Sequence, residues 1–412
     1  MRSAPPDLPT FLRDNAAFLA AGALLTFTSS YGQTFFISVF AGEIRESFGL
    51  SHGAWGSIYA AGTFASAVAM IWAGQATDVV RVRALSLVVL PLFAAACLAM
   101  AGATAAWMLV PVVFLLRFCG QGMASHIATV AMARWFVATR GRALSVASVG
   151  FAVGEAALPV TFVALMAVLD WRWLWVLVAV LVLGTLPVLG RLLALERTPQ
   201  AEAEENQSHG MDGRHWRRPE VLRHWLFWAM VPFLLGPAAF STAFFFHQVH
   251  FAETKAMTHL ALVALFPVFT AVSVGTMLLS GFLIDRLGTA RLMPVAQLPM
   301  VAAFLVLSVA SGAAGAALGM VLMALTVGAN HTLPSAFWAE FYGTRHIGAV
   351  RAMAAAVMVL GTAIGPILTG TLIDAGLSFD DQMFGIAGWF VFACACTGLA
   401  ISRAAPLLPA RA

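Results

Sequence analysis

The sequence GQATDVVRVR at residues 74–83 returns in a related form, GFLIDRLGTAR, at residues 281–291. Both stretches combine a glycine, an aspartate four residues later and arginines after it. Each follows two long apolar segments and precedes four more. Six hydrophobic segments, a polar loop and six further segments form the layout of a transporter built from two repeated halves.

The composition places the chain in a membrane. Hydrophobic residues make up 61% of the sequence and charged residues 10%, whereas a soluble domain carries about 25% charged residues. A helix that spans a bilayer needs about 20 mostly apolar residues. We predict twelve spans, at residues 17–40, 54–75, 84–102, 105–130, 143–169, 172–194, 224–250, 259–283, 290–311, 313–338, 348–375 and 382–402. The predicted fold is an all-α membrane protein of twelve transmembrane helices in two pseudo-symmetric six-helix halves.

The longest polar stretch divides the chain. Residues 196–222 are rich in glutamate at first and in arginine at the end, with Gly, Ser, Asn and Gln between. We predict a flexible cytoplasmic linker here, joining an N-terminal bundle at residues 1–195 to a C-terminal bundle at residues 223–412. A regulatory role for this loop is the alternative.

The basic residues indicate the orientation. An even number of spans puts both termini on one side of the membrane. With that side in the cytoplasm, only Arg45, Arg172 and Lys255 of the 23 Lys and Arg residues lie outside, and Arg117 lies within a span. This is the positive-inside bias. We predict a multi-pass protein of the cell (inner) membrane with both termini cytoplasmic, and we interpret the basic charge as a topology signal rather than as nucleic-acid binding.

The two repeated stretches resemble the signature of the major facilitator superfamily between spans 2 and 3 and between spans 8 and 9. The first copy departs from the pattern at Arg81, where glycine is preferred. The resemblance implies the twelve-helix fold of that superfamily and a conformational latch that forms in the outward-open state and breaks on switching. The latch positions are Gly74, Asp78 and Arg81 in the first copy and Gly281, Asp285, Arg286 and Arg291 in the second.

Two further stretches resemble other signatures of this superfamily and favour one of its branches. Residues 117–122, RFCGQG, resemble a second signature of the superfamily. Gly141, Gly150 and Gly154 have the spacing of its antiporter signature, with Glu155 where proline is expected. The run from residue 134 to residue 154 is more similar to the monocarboxylate and oxalate porter branch. Glycines four residues apart in spans 5 and 11 also predict close helix contacts.

Arg117 and Glu155 are the only basic and the only acidic residue that the predicted spans place near the membrane midplane. A lone charge at the centre of a spanning helix costs about 2.5 to 3.5 kcal/mol on insertion scales, so both are expected to face the bundle interior. We interpret Glu155 as a protonation site and Arg117 as its partner or as a contact for an anion. The alternative is a static ion pair that fixes helix packing.

Polar side chains on spans 1, 4, 7 and 10 extend the candidate site, since the resemblance implies that these spans line a central cavity. The further candidates for substrate binding or proton coupling are Tyr31, Gln33, Gln121, His247, Asn330 and His331. Helical spacing puts Arg117, Gln121 and Ser125 on one stripe of span 4 and turns His126 away from it. Hydrogen bonding between helices and ordinary aromatic packing are the alternative roles.

These features predict a secondary active transporter, not an enzyme, that moves a small organic anion such as a monocarboxylate with protons by alternating access. A proton-coupled efflux antiporter for apolar or cationic compounds is the alternative, and a membrane sensor or lipid-modifying enzyme is a third class. The sequence contains no nucleotide-binding loop for ATP drive. We expect no cofactor and no metal ion. The expected partners are a small-molecule substrate, protons and the lipid bilayer, and the chain is expected to act as a monomer.

Overall fold

The computed structural model describes residues 8–74, 76–136, 140–194, 209–343 and 346–408, and regular secondary structure within these ranges is helical. A bilayer offers no water to backbone N–H and C=O groups, so apolar segments form helices, which pair these groups internally. The chain divides into two compact units. Unit 1 comprises Met1–Leu50 and Ala61–Glu204, and unit 2 comprises Ser51–Ala60 and Glu205–Ala412.

Twelve apolar helical spans follow one another along the described part of the chain. Ten are long enough to cross a membrane, and the first and ninth are shorter. In chain order, spans 1 to 12 are Ala16–Gly32, His52–Ala73, Val82–Ala101, Ala106–Met132, Arg142–Met166, Trp171–Leu192, Trp225–Phe246, His259–Ile284, Leu298–Val309, Gly312–Tyr342, Met353–Asp374 and Phe379–Leu407. The prediction of an all-α membrane protein with twelve helical spans is confirmed.

The helices of the first half include several short or interrupted pieces. The α-helices are Leu8–Asp14, Ala16–Ser29, Thr34–Ile37, Ala41–Phe48, His52–Ala73, Ala76–Val79, Val82–Ala101, Leu109–Leu116, Ser125–Trp135, Arg140–Met166 and Trp171–Leu192. Tighter 3-10 turns lie at Ser30–Gly32, Ser38–Phe40 and Ala106–Met108, and a π-helical segment occupies Arg117–Ala124. Spans 1 and 4 are therefore irregular within their length.

The helices of the second half show the same mixture. The α-helices are Arg218–Arg223, Trp225–Ala229, Val231–Phe246, Gln248–Thr254, His259–Val263, Phe266–Leu287, Thr289–Leu292, Leu298–Val309, Gly312–Asn330, Leu333–Tyr342, Ile347–Asp374 and Phe379–Ala404. Turns of 3-10 helix lie at Met211–Gly213 and Ala405–Leu407. The helical path through span 7 is broken at His247, and that through span 10 is broken after Asn330.

Glycines on span 5 let it pack directly on span 1. A Cβ atom at Gly150 would collide with the carbonyl oxygen of Ala23, and one at Gly154 would collide with the hydroxyl of Ser30. Backbones that approach this closely gain van der Waals contact that larger side chains would prevent. The predicted close contact of span 5 is confirmed.

The corresponding glycines of span 11 pack on span 7 in the same way. A Cβ atom at Gly361 would lie 3.0 Å from the carbonyl oxygen of Leu235, and one at Gly365 would collide with that of Ala239. Spans 5 and 1 in unit 1 thus repeat the packing of spans 11 and 7 in unit 2. The internal repeat seen in the sequence extends to how each unit is assembled.

Replacing Gly150 by alanine should destabilise the protein by about 1 to 3 kcal/mol, because the new methyl group forces spans 1 and 5 apart. Thermal unfolding of the purified protein measures this. The matched control is Gly184→Ala in span 6, where a Cβ atom meets nothing within 4 Å. That change should be neutral or slightly stabilising. Equal melting temperatures for the two variants would contradict the proposed contact.

The end of the predicted linker is folded, so the expectation of a flexible tether is wrong for residues 209–222. Met211, Trp216 and Val221 are buried in the same apolar cluster as Trp338 and Tyr342. The backbone N–H of Trp216 donates to the carbonyl of Tyr342 at 3.0 Å, and the indole N–H of Trp216 donates to the carbonyl of Met211 at 3.2 Å. Residues 196–208 lie outside the described ranges.

His224 joins this cluster just before span 7. Its Nδ1 lies 3.2 Å from the hydroxyl of Tyr342, and its ring lies 4.6 Å from that of Trp216. Burial lowers the pKa of His224; Asp212 opposes this shift and Arg214 adds to it. The unfolded chain therefore binds a proton at this position more readily than the folded chain does.

The stability that neutral His224 contributes should be present above about pH 6.5, the ordinary His value, and should be lost as the pH falls below it. The melting temperature of the wild type should decrease on acidification, and it should decrease less steeply for His224→Gln. Identical slopes for the wild type and His224→Gln would refute this role.

Candidate substrate and proton site

The break in span 1 forms the centre of the candidate site in unit 1. The helix Ala16–Ser29 tightens into a 3-10 turn at Ser30–Gly32. Gln33 is then extended, with φ −85° and ψ 157°, and the helix restarts at Thr34. Broken spanning helices leave backbone groups that must find other partners, and transporters use such breaks as binding sites.

The backbone of span 4 packs directly against this break. A Cβ atom at Gly120 would lie 2.6 Å from the Cα atom of Gly32, and a Cβ atom at Gly32 would collide with the carbonyl oxygen of Leu116. Only glycine fits at both positions without moving the helices apart. These residues explain why an irregular part of span 1 lies directly against span 4.

The facing part of span 4 is π-helical from Arg117 to Ala124. A π-helical turn holds an extra residue and occurs often at functional sites. The stripe predicted for Arg117, Gln121 and Ser125 assumes an uninterrupted α-helix, so that spacing argument does not apply across this segment. Gln121 itself is half-buried within the π-helical turns.

Arg117 points its guanidinium group at the break in span 1. Its side chain is only 1% exposed. Its Nη1 donates to the carbonyl oxygen of Gly32 at 3.3 Å and to the Oγ1 atom of Thr34 at 3.2 Å. The break thus supplies hydrogen-bond acceptors to the guanidinium group. In return, the arginine donates to a backbone carbonyl that has no partner within the interrupted helix. A positive charge is held where water has little access.

Glu155 lies on span 5, which also packs against residues of this break. It is half-buried on the helix Arg140–Met166 and follows Gly154, where a Cβ atom would collide with the hydroxyl of Ser30. Arg117 and Glu155 therefore both lie on helices that contact residues 30–34 of span 1. Their direct pairing remains a prediction.

Tyr31 and Gln33 differ in their surroundings. The ring of Tyr31 is 3% exposed and makes edge contacts with Phe27, Phe36 and Phe162 at centroid distances of 6.0, 5.2 and 6.3 Å. These apolar surroundings agree with ordinary aromatic packing, the alternative role given above for the candidate side chains. Gln33 is half-buried at the extended residue of the break.

In unit 2, His247 directly follows the last residue of span 7, where the helical path is interrupted. It separates the helices Val231–Phe246 and Gln248–Thr254 and is 3% exposed. Its Nε2 lies 3.0 Å from the Oγ1 atom of Thr369 on span 11, and its ring lies 5.4 Å from that of Phe379. The predicted site residue is thus a buried polar contact between spans 7 and 11.

Other polar groups near His247 were not among the predicted site residues. The ring of His52 lies 5.7 Å from His247 and 4.4 Å from His250. Asp374 accepts hydrogen bonds from the backbone N–H groups of His52 at 3.1 Å and Gly53 at 2.7 Å, and so caps the helix His52–Ala73. The only available signal was an aspartate at the end of span 11 opposite a histidine-rich segment.

Asn330 and His331 lie at the break in span 10. The helix Gly312–Asn330 ends in bonds from His331 N–H to Gly328 and from Thr332 N–H to Ala329, and a new helix starts at Leu333. Pro334 in its first turn explains the restart, because proline has no N–H group to continue the earlier helix.

The two candidate side chains at this break differ in exposure. The side chain of His331 is exposed. The Oδ1 atom of Asn330 is buried without a hydrogen-bond partner among the described residues. Among the described residues, Asn330 thus has an unused hydrogen-bond acceptor inside unit 2.

The first latch motif is held by a residue of span 4. The Nε2 atom of His126 lies 3.2 Å from the carbonyl oxygen of Gly74 and 3.4 Å from the hydroxyl of Thr77. His126 therefore contacts this first motif through two residues of the turn after span 2. Arg81 is exposed, and the side chain of Asp78 lies outside the described residues.

The second latch motif has a partner that the sequence analysis missed. The Oε2 atom of Glu340 accepts hydrogen bonds from the N–H group of Thr289 at 3.1 Å and from its hydroxyl at 2.6 Å. Gly281 lies within the helix before this contact. Arg286 stacks on Phe282 at 4.1 Å, Arg291 is exposed, and the side chain of Asp285 lies outside the described residues. An acid near the end of span 10 was the only signal for Glu340.

Twelve helical spans in two units of repeated construction, with polar and charged side chains at breaks within the spans, define a multi-pass membrane transporter. The chain belongs to the major facilitator superfamily, whose family model matches residues 22–366. The family assignment agrees with the resemblance of the two repeated motifs.

Solved structures share this fold. A bacterial homolog of the human lysosomal transporter Spinster, in an inward-facing and unoccupied conformation, is 16% identical; the match covers 97% of this chain and 99% of that one, with a TM-score of 0.71. The nucleoside transporter NupG is 14% identical, with 93% of this chain and 98% of that one covered and a TM-score of 0.71. At this identity the likeness concerns the fold alone. No curated protein shows significant sequence similarity to the chain.

Thr34→Val should lower the stability of unit 1, because it removes a hydroxyl group that accepts from Arg117 and keeps the size of the side chain. Hydrogen bonds to charged groups contribute about 1.5 to 3 kcal/mol. Thr34→Ser retains the hydroxyl group and is the matched control. Thermal unfolding should separate the two variants, and equal melting temperatures would show that the contact contributes nothing.

Proposed function

We propose that the chain is a secondary active transporter that moves a small organic anion, such as a monocarboxylate, together with protons. The proposal includes alternating access by the two halves, a location in the inner membrane and both termini in the cytoplasm. The observation that supports it best is the buried guanidinium group of Arg117, which points at the break in span 1.

Arg117 favours an anion as substrate. A buried cation is costly unless a negative group or several acceptors surround it. The planar fork of a guanidinium group can hold both oxygens of a carboxylate, which makes arginine better suited to this task than a point charge. A carboxylate at the break in span 1 would lie beside Gly32 and Thr34, which already accept from this guanidinium group.

Glu155 supplies a means of coupling the anion to protons. While Glu155 is ionised, it competes with an incoming carboxylate for the positive charge beside span 1. Once Glu155 is protonated, that competition ends and the anion becomes the counter-ion of Arg117. Anion and proton would then occupy the site together and cross together, which is the charge balance of a symporter.

The remaining candidates take supporting roles in this proposal. Gln33 and Gln121 lie at the two irregular segments that meet near Arg117, where their amides would contact the polar parts of a substrate. Asn330 and His331 would contribute from the break in span 10, and His247 would hold spans 7 and 11 together. The two glycine–aspartate motifs would act as latches between conformational states.

The decisive test compares wild type with Glu155→Gln in proteoliposomes. Labelled acetate, lactate and pyruvate are offered with and without an inward-directed proton gradient, and a lipophilic cation is offered in parallel. The variant should exchange anions across the membrane but should lose accumulation driven by the gradient, because glutamine resembles the protonated acid and cannot release a proton. Arg117→Lys should weaken anion binding about tenfold, because it loses the planar fork.

Glu43→Gln, at an exposed acid of the same unit, is the matched control and should transport like the wild type. Accumulation that persists in Glu155→Gln would remove the proton role of that residue. Movement of the cation against the proton gradient, with no anion uptake, would replace symport by efflux.

A further inference from the structure

A groove outside the candidate substrate site lies between the ends of spans 3 and 6 in unit 1. Its volume is about 410 Å³. Arg83, in the first turn of span 3, and Arg191, in the last turn of span 6, both line it. Both arginines are exposed, so two positive charges stand at the mouth of the groove.

The wall of the groove is mostly apolar. Leu87 and Leu186 line it, and Leu87 is 57% exposed in a chain whose spans face lipid. A free anion needs no such wall, whereas a lipid places its charged head group beside an apolar chain. The position at helix ends is also where head groups meet the hydrocarbon layer.

Ser86 provides an independent sign that the groove receives a polar ligand. Its side chain is 1% exposed and lines the groove. Its hydroxyl group has no hydrogen-bond partner within the part of the chain that the structure describes. A buried hydroxyl group without a partner is unfavourable, so a ligand oxygen in the groove would satisfy it.

We propose that this groove binds the phosphate group of an anionic phospholipid. Arg83 and Arg191 hold the phosphate oxygens, Ser86 donates a hydrogen bond to the same group, and the leucine wall takes the first part of the acyl chain. Arginine suits phosphate because its N–H groups form a fork that matches two oxygens. Basic pockets between spanning helices on the cytoplasmic side recognise such head groups, and the arginine distribution predicts that this end is cytoplasmic.

Gly190 offers a second way to test the groove. It lines the groove, and a Cβ atom there would meet nothing within 4 Å. A leucine at this position would therefore extend into the groove and would occupy the space of the ligand without straining the backbone. Gly190→Leu blocks the site by volume, whereas Arg83→Gln with Arg191→Gln removes its charge.

The experiment is native mass spectrometry of the full chain in non-ionic detergent, titrated with phosphatidylglycerol and, separately, with phosphatidylcholine. The wild type should retain phosphatidylglycerol in preference to phosphatidylcholine. The double variant Arg83→Gln, Arg191→Gln should bind phosphatidylglycerol about tenfold or more weakly. Gly190→Leu and Ser86→Ala should also weaken binding. The control, Arg223→Gln with Arg403→Gln, removes two exposed arginines elsewhere and should bind like the wild type.

Competition distinguishes the two sources of phosphate. If inorganic phosphate or glycerol 3-phosphate leaves bound phosphatidylglycerol in place, the site is one for lipid. If either displaces it at matched concentration, the site is one for phosphate and a free anion is its ligand. Unchanged binding by the double variant or by Gly190→Leu would overturn the proposal, as would an equal loss in the control pair.

Discussion

The close approach of span 1 to spans 4 and 5 is the contact on which the rest of unit 1 depends. Gly120 of span 4 faces Gly32, and Gly154 of span 5 faces Ser30. Because these glycines bring two backbones against an interrupted helix, the open carbonyl of Gly32 comes within reach of Arg117. A larger side chain at any of these positions would separate the charge from the break. Helix packing and the chemistry of the candidate site are therefore set by the same few residues.

The hydrophobicity of the segments and the cost of placing a charge in lipid were enough to predict the number of spans and the burial of Arg117. Both arguments depend only on the transfer of a local segment from water into lipid. The break at Gln33 and the π-helical turns after Arg117 could not be predicted from the sequence. They depend on contacts between residues 85 positions apart. Glu340 and Asp374 were missed for the same reason. Each binds backbone N–H groups of a helix distant in sequence, and composition carries no trace of such a partner.

The two units share a plan of packing but differ in chemistry. Spans 5 and 11 use paired glycines in equivalent ways, and spans 1 and 7 are both broken within their length. At the breaks, however, unit 1 has a buried arginine and a nearby glutamate, whereas the described residues of unit 2 offer histidine and asparagine. The repeat thus extends to helix contacts and, among the described residues, does not extend to the side chains at the breaks.

The π-helical segment of span 4 joins two stretches of regular helix, Leu109–Leu116 and Ser125–Trp135. Each residue of an α-helix advances the helix by about 100°, so the extra residue in a wide turn shifts the angular register of one stretch against the other. Span 4 consequently consists of two α-helical stretches offset in register by the π-helical segment, and Arg117 is the first residue of that segment. Loss of one residue from this segment would restore a continuous α-helix and would turn the arginine away from span 1, so the extra residue is what aims Arg117 at the break.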